Sequence, residues 1–264
     1  CDEAGQEHME TAEVVIDTSG NRGDPLGLGA GGLPAIGERD VRSKIDYRIP
    51  NFLREDETDF ADQQTLVFGD GVIAACTVIA LTELAEKRTG TRVVWVTRNA
   101  DSDHGPVPVP SNETLPRRRE LAEQANHLAR RGHPALKWLP NRSLESLHVV
   151  EGEQPFRIVM TGDQQEWRFR RIVADVGFRP DLSVFRELHV QTCPMTESVS
   201  GSEGNGPQKM ILGEPDFYVL GAKSGGRGNG FHFSMGIEQI RQLFTIIGDR
   251  KDLDLYATAR SLPR

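Results

Sequence analysis

A chain of 264 residues, 37% hydrophobic and 27% charged, can bury one large core or two modest ones. Its 31 Lys and Arg against 39 Asp and Glu leave a formal charge of -8, with no basic block long enough to follow a phosphate backbone, which excludes nucleic acid as an expected partner. No apolar run approaches the roughly eighteen residues of a membrane span, and Cys1, Cys76 and Cys193 form neither a disulfide framework nor a Cys-x-x-Cys redox centre.

A soluble chain acting in a reducing, cytoplasmic compartment is expected. Glycine gathers at 20–37, 69–71, 201–206 and 221–230, where backbone must turn sharply or approach a ligand. Between these clusters, β-branched runs predict buried strands at Glu13 to Asp17, Thr65 to Phe68, Arg92 to Thr97, Phe156 to Met160, Arg171 to Asp175 and Phe217 to Leu220, several of them parallel. Helical periodicity marks 72–87, the basic stretch 116–131, and 235–248 with Ile237, Ile240, Leu243, Phe244 and Ile247 apolar. The segments 156–160 and 167–173 flank Thr161-Gly-Asp-Gln, the pattern of an antiparallel hairpin set between parallel units. The polar stretch 198–209 is expected to be a mobile loop.

The sharpest local signal is the strand Thr65 to Phe68 running into Gly69-Asp-Gly71-Val72-Ile73-Ala74, a Gly-x-Gly-x-x-Ala turn that opens a helix. In that pattern Gly69 makes the tight turn, Gly71 lets a pyrophosphate reach backbone N–H groups at the positive helix end, and Ala74 lets helix and strand pack closely. The next strand ends in Thr97-Arg98 with no carboxylate of its own, so Arg98 is the expected partner of a 2'-phosphate and NADP is preferred to NAD. Asp70, between the glycines, opposes this by like-charge repulsion unless its side chain points away.

Reading outward from this turn, the chain resembles the two-dinucleotide flavoproteins, the FAD-dependent, NADPH-using oxidoreductases close to flavin monooxygenases and the pyridine nucleotide-disulfide oxidoreductases. Val14-Val-Ile-Asp17-Thr-Ser-Gly20 is similar to the strand and turn by which that family's chain leaves its flavin domain, and 21–37 to the glycine-rich crossing that follows. Val173-Ala-Asp175-Val-Gly177-Phe178-Arg-Pro-Asp181 resembles the turn that leaves the NADPH domain, Phe217 to Lys223 the late flavin strand and turn, and the helix from Met235 the one facing the flavin ring.

The resemblance implies an α/β fold in which a Rossmann-like, three-layer NADP-binding domain (46–173) interrupts a partial FAD-binding domain (1–45 and 174–264). It implies FAD and NADP as cofactors, with Gly69, Gly71, Val72, Ile73, Ala74, Arg98, Gly177, Phe178, Gly221, Lys223, Met235 and Gly236 as binding positions and Gly230 and Phe231 also near the flavin edge. The residues ahead of Val14 are too few to hold the family's first dinucleotide turn, so a fragment of a longer flavoenzyme, or a chain with impaired flavin binding, is expected. The expected function is an NADPH-dependent flavoprotein oxidoreductase acting on a small molecule, monooxygenase-like because Cys-x-x-Cys is absent. The alternative is a non-catalytic NADP-binding or interaction module that has lost flavin binding. The histidines lack metal-ligand spacing, so no metal is expected, and Cys76 reads as a small buried hydrophobe.

Overall fold

A computed structural model describes residues 6–7, 9–21, 23–48, 50, 57–98, 105–109, 115–163, 165–199, 210–226 and 231–256. The chain opens with β1 (Val15–Asp17), β2 (Asp24–Pro25) and two single-turn helices, α1 (Glu38–Val41) and α2 (Glu57–Phe60). Then come β3 (Gln64–Phe68), α3 (Val72–Lys87), β4 (Arg92–Val96), α4 (Pro116–Arg131), β5 (Leu136–Leu139), β6 (Leu144–Val149), β7 (Phe156–Met160), β8 (Glu166–Phe169) and β9 (Arg171–Ala174). The chain ends with β10 (Phe178–Arg179), β11 (Phe217–Val219) and α5 (Phe233–Ile247). It divides into two compact units, one Pro25–Val176 and the other formed by Cys1–Asp24 with Gly177–Arg264.

The continuous unit is built around a parallel sheet in the order β5-β4-β3-β9. Side chains alternate across a strand, and here the alternation sorts two cores. Val67, Val93, Trp95 and Val173 face α3 and α4, meeting Ala74, Ala75, Val78, Leu81, Ala122 and Ala125. Leu66, Phe68, Val94, Val96, Ile172 and Ala174 face the other way, onto Leu144, Leu147, Phe156, Ile158, Met160, Trp167 and Phe169 of an antiparallel β6-β7-β8 sheet. Three layers result: helices, parallel sheet, antiparallel sheet. The α/β class with a parallel sheet is therefore as the sequence implies, and α3 and α4 have the bounds that their periodicity predicts.

Three details depart from the local patterns. β5 and β6 carry no regular alternation, and β6 shifts register between Leu144 and Ser146. The apolar run 167–173 serves two sheets: Trp167 and Phe169 pair with β7, while Ile172 and Val173 pair with β3. The compact unit begins at Pro25 instead of residue 46, because Leu28, Ala35, Val41 and Ile45 join its core. The buried Glu38 carboxylate fastens that segment by accepting the N–H groups of Leu28 (2.9 Å) and Ala35 (2.7 Å).

In the discontinuous unit β1 and β11 pair in parallel, Val15 opposite Phe217 and Asp17 opposite Val219. β11 is buried on both faces. Tyr218 and Leu220 pack with Met210 and Leu243 of α5, and Phe217 and Val219 with Phe185, Val199 and Leu212. The expected loop at 198–209 lies outside the described residues beyond Val199. Among the described residues no helix is long and apolar enough to cross a membrane.

Candidate functional site

The predicted dinucleotide corner sits where β3 passes into α3, with β4 on one side of β3 and β9 on the other. Ligands of open parallel sheets bind at the carboxyl ends of such strands, where the chain order switches sides. Gly69 turns with φ +129°, and the buried Trp95 donates its indole N–H to the Gly69 carbonyl at 2.8 Å. Gly71 is the N-cap of α3, and Val72, Ile73 and Ala74 form its first turn, the first two half-buried and Ala74 buried.

What fills the corner is a side chain from the end of β9. The Asp175 carboxylate accepts the Ala74 N–H at 3.1 Å, and Ile73 supplies a further backbone hydrogen bond. Asp175 is itself anchored, its N–H donating to the Phe68 carbonyl at 2.7 Å. A Cβ on Gly71 would come within 2.3 Å of the Asp175 carboxylate oxygen, so the space that glycine opens is the space this carboxylate uses. Burial pushes the Asp175 pKa up and the Asp70 carboxylate adds to that, while the Ala74 and Ile73 amides and the Arg118 guanidinium pull it down. The first-turn amides that would receive a pyrophosphate are thus already serving an anion, with a second carboxylate close by. A pyrophosphate can reach these amides only by displacing the Asp175 carboxylate.

Arg98 also has other work. Its guanidinium donates to the Gly27 carbonyl at 3.0 Å and lies 5.3 Å from the centre of the Phe68 ring. Burial pushes its pKa down, and Asp70 and Glu38 oppose that shift. The structure gives Arg98 a role in holding the 27–33 turn, where a phosphate partner is expected from sequence.

In the discontinuous unit the late turn is organised around a buried ion pair. Lys223 is fully buried, its ammonium 2.8 Å from Asp17 Oδ2 and 2.6 Å from Ser19 Oγ, with the Phe185 ring 5.5 Å away. Asp17 Oδ1 accepts both the N–H and the hydroxyl of Ser19, at 2.8 and 2.7 Å. Burial works to raise the Asp17 pKa, but the hydrogen bonds from Lys223 and Ser19 outweigh it and hold the carboxyl below its ordinary value. Gly221, at φ +81°, donates its N–H to Gln239 of α5 at 2.8 Å. Lys223 and Gly221 are therefore brought together, but as parts of an internal network.

α5 begins at Phe233, two residues ahead of its predicted start, and this changes which amides face outward. The N–H groups of Met235 and Gly236 are directed at the His232 carbonyl, at 3.0 and 3.4 Å, so the amides left over by helix geometry are the earlier ones. The N-cap His232 makes no side-chain cap, the first turn carries no acid, and His232 Nδ1 is buried with no hydrogen-bond partner among the described residues. An orphaned polar atom beside a positive helix end fits an electron-rich group such as a flavin ring edge. Phe231 packs against Gly236, with its ring 3.2 Å from where a Cβ would stand, and Gly230 lies outside the described residues. Gly177 takes φ +76° where the chain returns from the continuous unit, and the half-buried Phe178 starts β10. Sequence patterns do not single out Asp175 or His232, although a carboxylate closing the β9 run is an available sign of the first. Among the described residues no group of three or more His, Cys, Asp or Glu could hold a metal ion. Cys76 is half-buried on α3, and burial pushes its thiol pKa up.

No protein-family model matches the chain, and no curated protein matches it by sequence. Solved structures do match. The bacillithiol disulfide reductase of Bacillus cereus superposes with a TM-score of 0.63 at 15% identity, over 90% of this chain and 62% of that one. The bacillithiol disulfide reductase of Staphylococcus aureus gives 0.61 at 13% identity, over 90% and 63%. The thioredoxin reductase of T. acidophilum gives 0.58 at 15% identity, over 89% and 66%. The chain spans just over three fifths of the length of the two bacillithiol reductases. At these identities the likeness is one of fold: this chain has the Rossmann-like α/β fold of those reductases.

Proposed function

We propose that the chain is part of a flavin-linked, pyridine-nucleotide-dependent oxidoreductase, with FAD at the start of α5 and a small molecule as electron acceptor. The observation that supports it is that the fold likeness to reductases runs through about nine tenths of the chain and so takes in both units. On this reading the first-turn amides of α5 and His232 hold the flavin ring edge, while Gly221 and the Asp17–Lys223 pair fix the turn beside β11. Bound flavin would supply the hydride acceptor, leaving the protein to orient it and exclude water. The absence of a Cys-x-x-Cys pair favours a monooxygenase-like branch over one that relays electrons through a protein dithiol.

The test is direct. Purified chain, supplied with FAD, should turn yellow, release flavin fluorescence on denaturation and oxidise NADPH faster than free FAD does. A colourless chain, inert with added FAD, would refute the reading for these residues. A second reading, a module of the same fold that takes no pyridine nucleotide, is favoured by one observation: the Asp175 carboxylate on the Ala74 amide.

A further inference from the structure

We propose that Asp175 is an internal anion that competes with a dinucleotide's pyrophosphate for the start of α3, so that this carboxylate, and not the glycine pattern, sets how well the corner takes a pyridine nucleotide. The inference rests on the oxidoreductase reading only in naming that ligand.

Geometry carries it. A helix N-terminus has amides without intrahelical partners and a positive end, and both features suit one anion at a time. Asp175 Oδ2 takes the Ala74 amide at 3.1 Å and overlies Gly71, the residue whose missing side chain would otherwise admit a phosphate. The carboxylate is not a stray rotamer at the end of a loose loop. Its own backbone continues the β3–β9 ladder through the Phe68 carbonyl, and the Gly69 turn lies against the Asp175 carbonyl so closely that a Cβ there would approach to 2.0 Å. The side chain is therefore delivered to the corner by the sheet itself. A nucleotide entering the same notch has to displace the carboxylate from its amides and then tolerate it nearby, together with Asp70. Among the described residues, the Arg118 guanidinium on the first turn of α4 opposes this by favouring the charged Asp175. Tethering holds the internal anion at a fixed effective concentration, so it lowers the apparent affinity for a nucleotide by a constant factor.

The experiment uses the full chain with three probes, NADPH, NADH and inorganic pyrophosphate, titrated by calorimetry into the wild type, Asp175→Asn and Asp175→Ala. Asp175→Asn keeps a side-chain oxygen for the Ala74 amide and removes the charge, and Asp175→Ala removes both. NADPH affinity should rise about tenfold in Asp175→Asn and further in Asp175→Ala, the first step corresponding to about 1.4 kcal/mol. Pyrophosphate should become a competitor of NADPH in both variants. Nuclear magnetic resonance supplies a readout that a merely structural role would not move: the Ala74 and Ile73 amide signals should shift on adding pyrophosphate to the variants and stay put in the wild type. Variants that bind NADPH no better than the wild type overturn the proposal, whether the wild type binds tightly or not at all. Tight NADPH binding by a yellow wild type with no gain in either variant removes this inference and leaves the oxidoreductase reading standing. A gain in the variants of a chain that stays colourless with FAD keeps the inference and removes that reading.

Discussion

Two aspartates close parallel strands in the two units, and their surroundings are opposite. Asp17, at the end of β1, faces a buried ammonium and a serine that donates to it twice. Asp175, just beyond β9, faces backbone amides of α3, with a second carboxylate among its neighbours. The same contrast holds for the helices: α3 starts under a carboxylate, whereas α5 starts with no cap from its N-cap residue and with an imidazole nitrogen that has no partner among the described residues. A strand, a glycine turn and a helix are thus a frame, and the charge placed at its mouth decides whether the frame admits an anion.

The strongest way to break the comparison is at the buried pair. Lys223→Met should cost about 3–5 kcal/mol of unfolding free energy in urea, because it leaves Asp17 ionised, buried and without its cation. Adding Asp17→Asn to it should recover most of that loss, and a double variant as unstable as the single one would show that Asp17 and Lys223 do not act as a pair. Next in size is Gly69→Ala. Its φ of +129° and the 2.0 Å approach to the Asp175 carbonyl predict a loss of about 2 kcal/mol or more. Gly71→Ala, whose φ is -86° and whose Cβ would meet only the tip of the Asp175 side chain, should cost less than Gly69→Ala in the same unfolding experiment.

Arg98→Ala should cost about 1 kcal/mol through the lost Gly27 bond and Phe68 contact, and hydrogen exchange should quicken across 27–33. A selective loss of NADPH over NADH binding in this variant would instead restore Arg98 as the reader of a 2'-phosphate.

The smallest effect is on pH dependence, and there the two aspartates differ in sign. Asp17 has its folded pKa below the unfolded value, so its contribution is present above the unfolded pKa and is lost as pH falls toward the folded one. Asp175 has its folded pKa raised, so the folded state holds its proton longer and stability falls as pH rises from the unfolded pKa through the folded one. Removing each charge with Asn should therefore change the acid limb of a melting-temperature profile in opposite directions. Parallel changes would mean that the two environments are electrically alike.

Much of the frame is legible in the order of residues alone. The helices 72–87 and 116–131 and the strands around 65–68, 92–96 and 217–219 follow from apolar periodicity, which is a property of neighbours in sequence. β6 escapes because its register shift breaks the alternation, and the 25–45 segment because its few apolar residues are spaced by glycines and belong to a core assembled elsewhere. The Gly-x-Gly-x-x-Ala corner has the strand, turn and helix that its pattern predicts. Its occupant is not legible, since the Asp175 side chain reaches Ala74 across 101 positions and the Lys223 ammonium reaches Asp17 across 206.

By itself, then, the sequence determined where strands, turns and helices form, because hydrophobic period, glycine and β-branching act within a few residues. Tertiary structure alone decided which charge stands at each mouth. β9 lies beside β3 and β11 beside β1 only once the sheets are assembled, and electrostatic forces act on distance in space, whatever the separation along the chain.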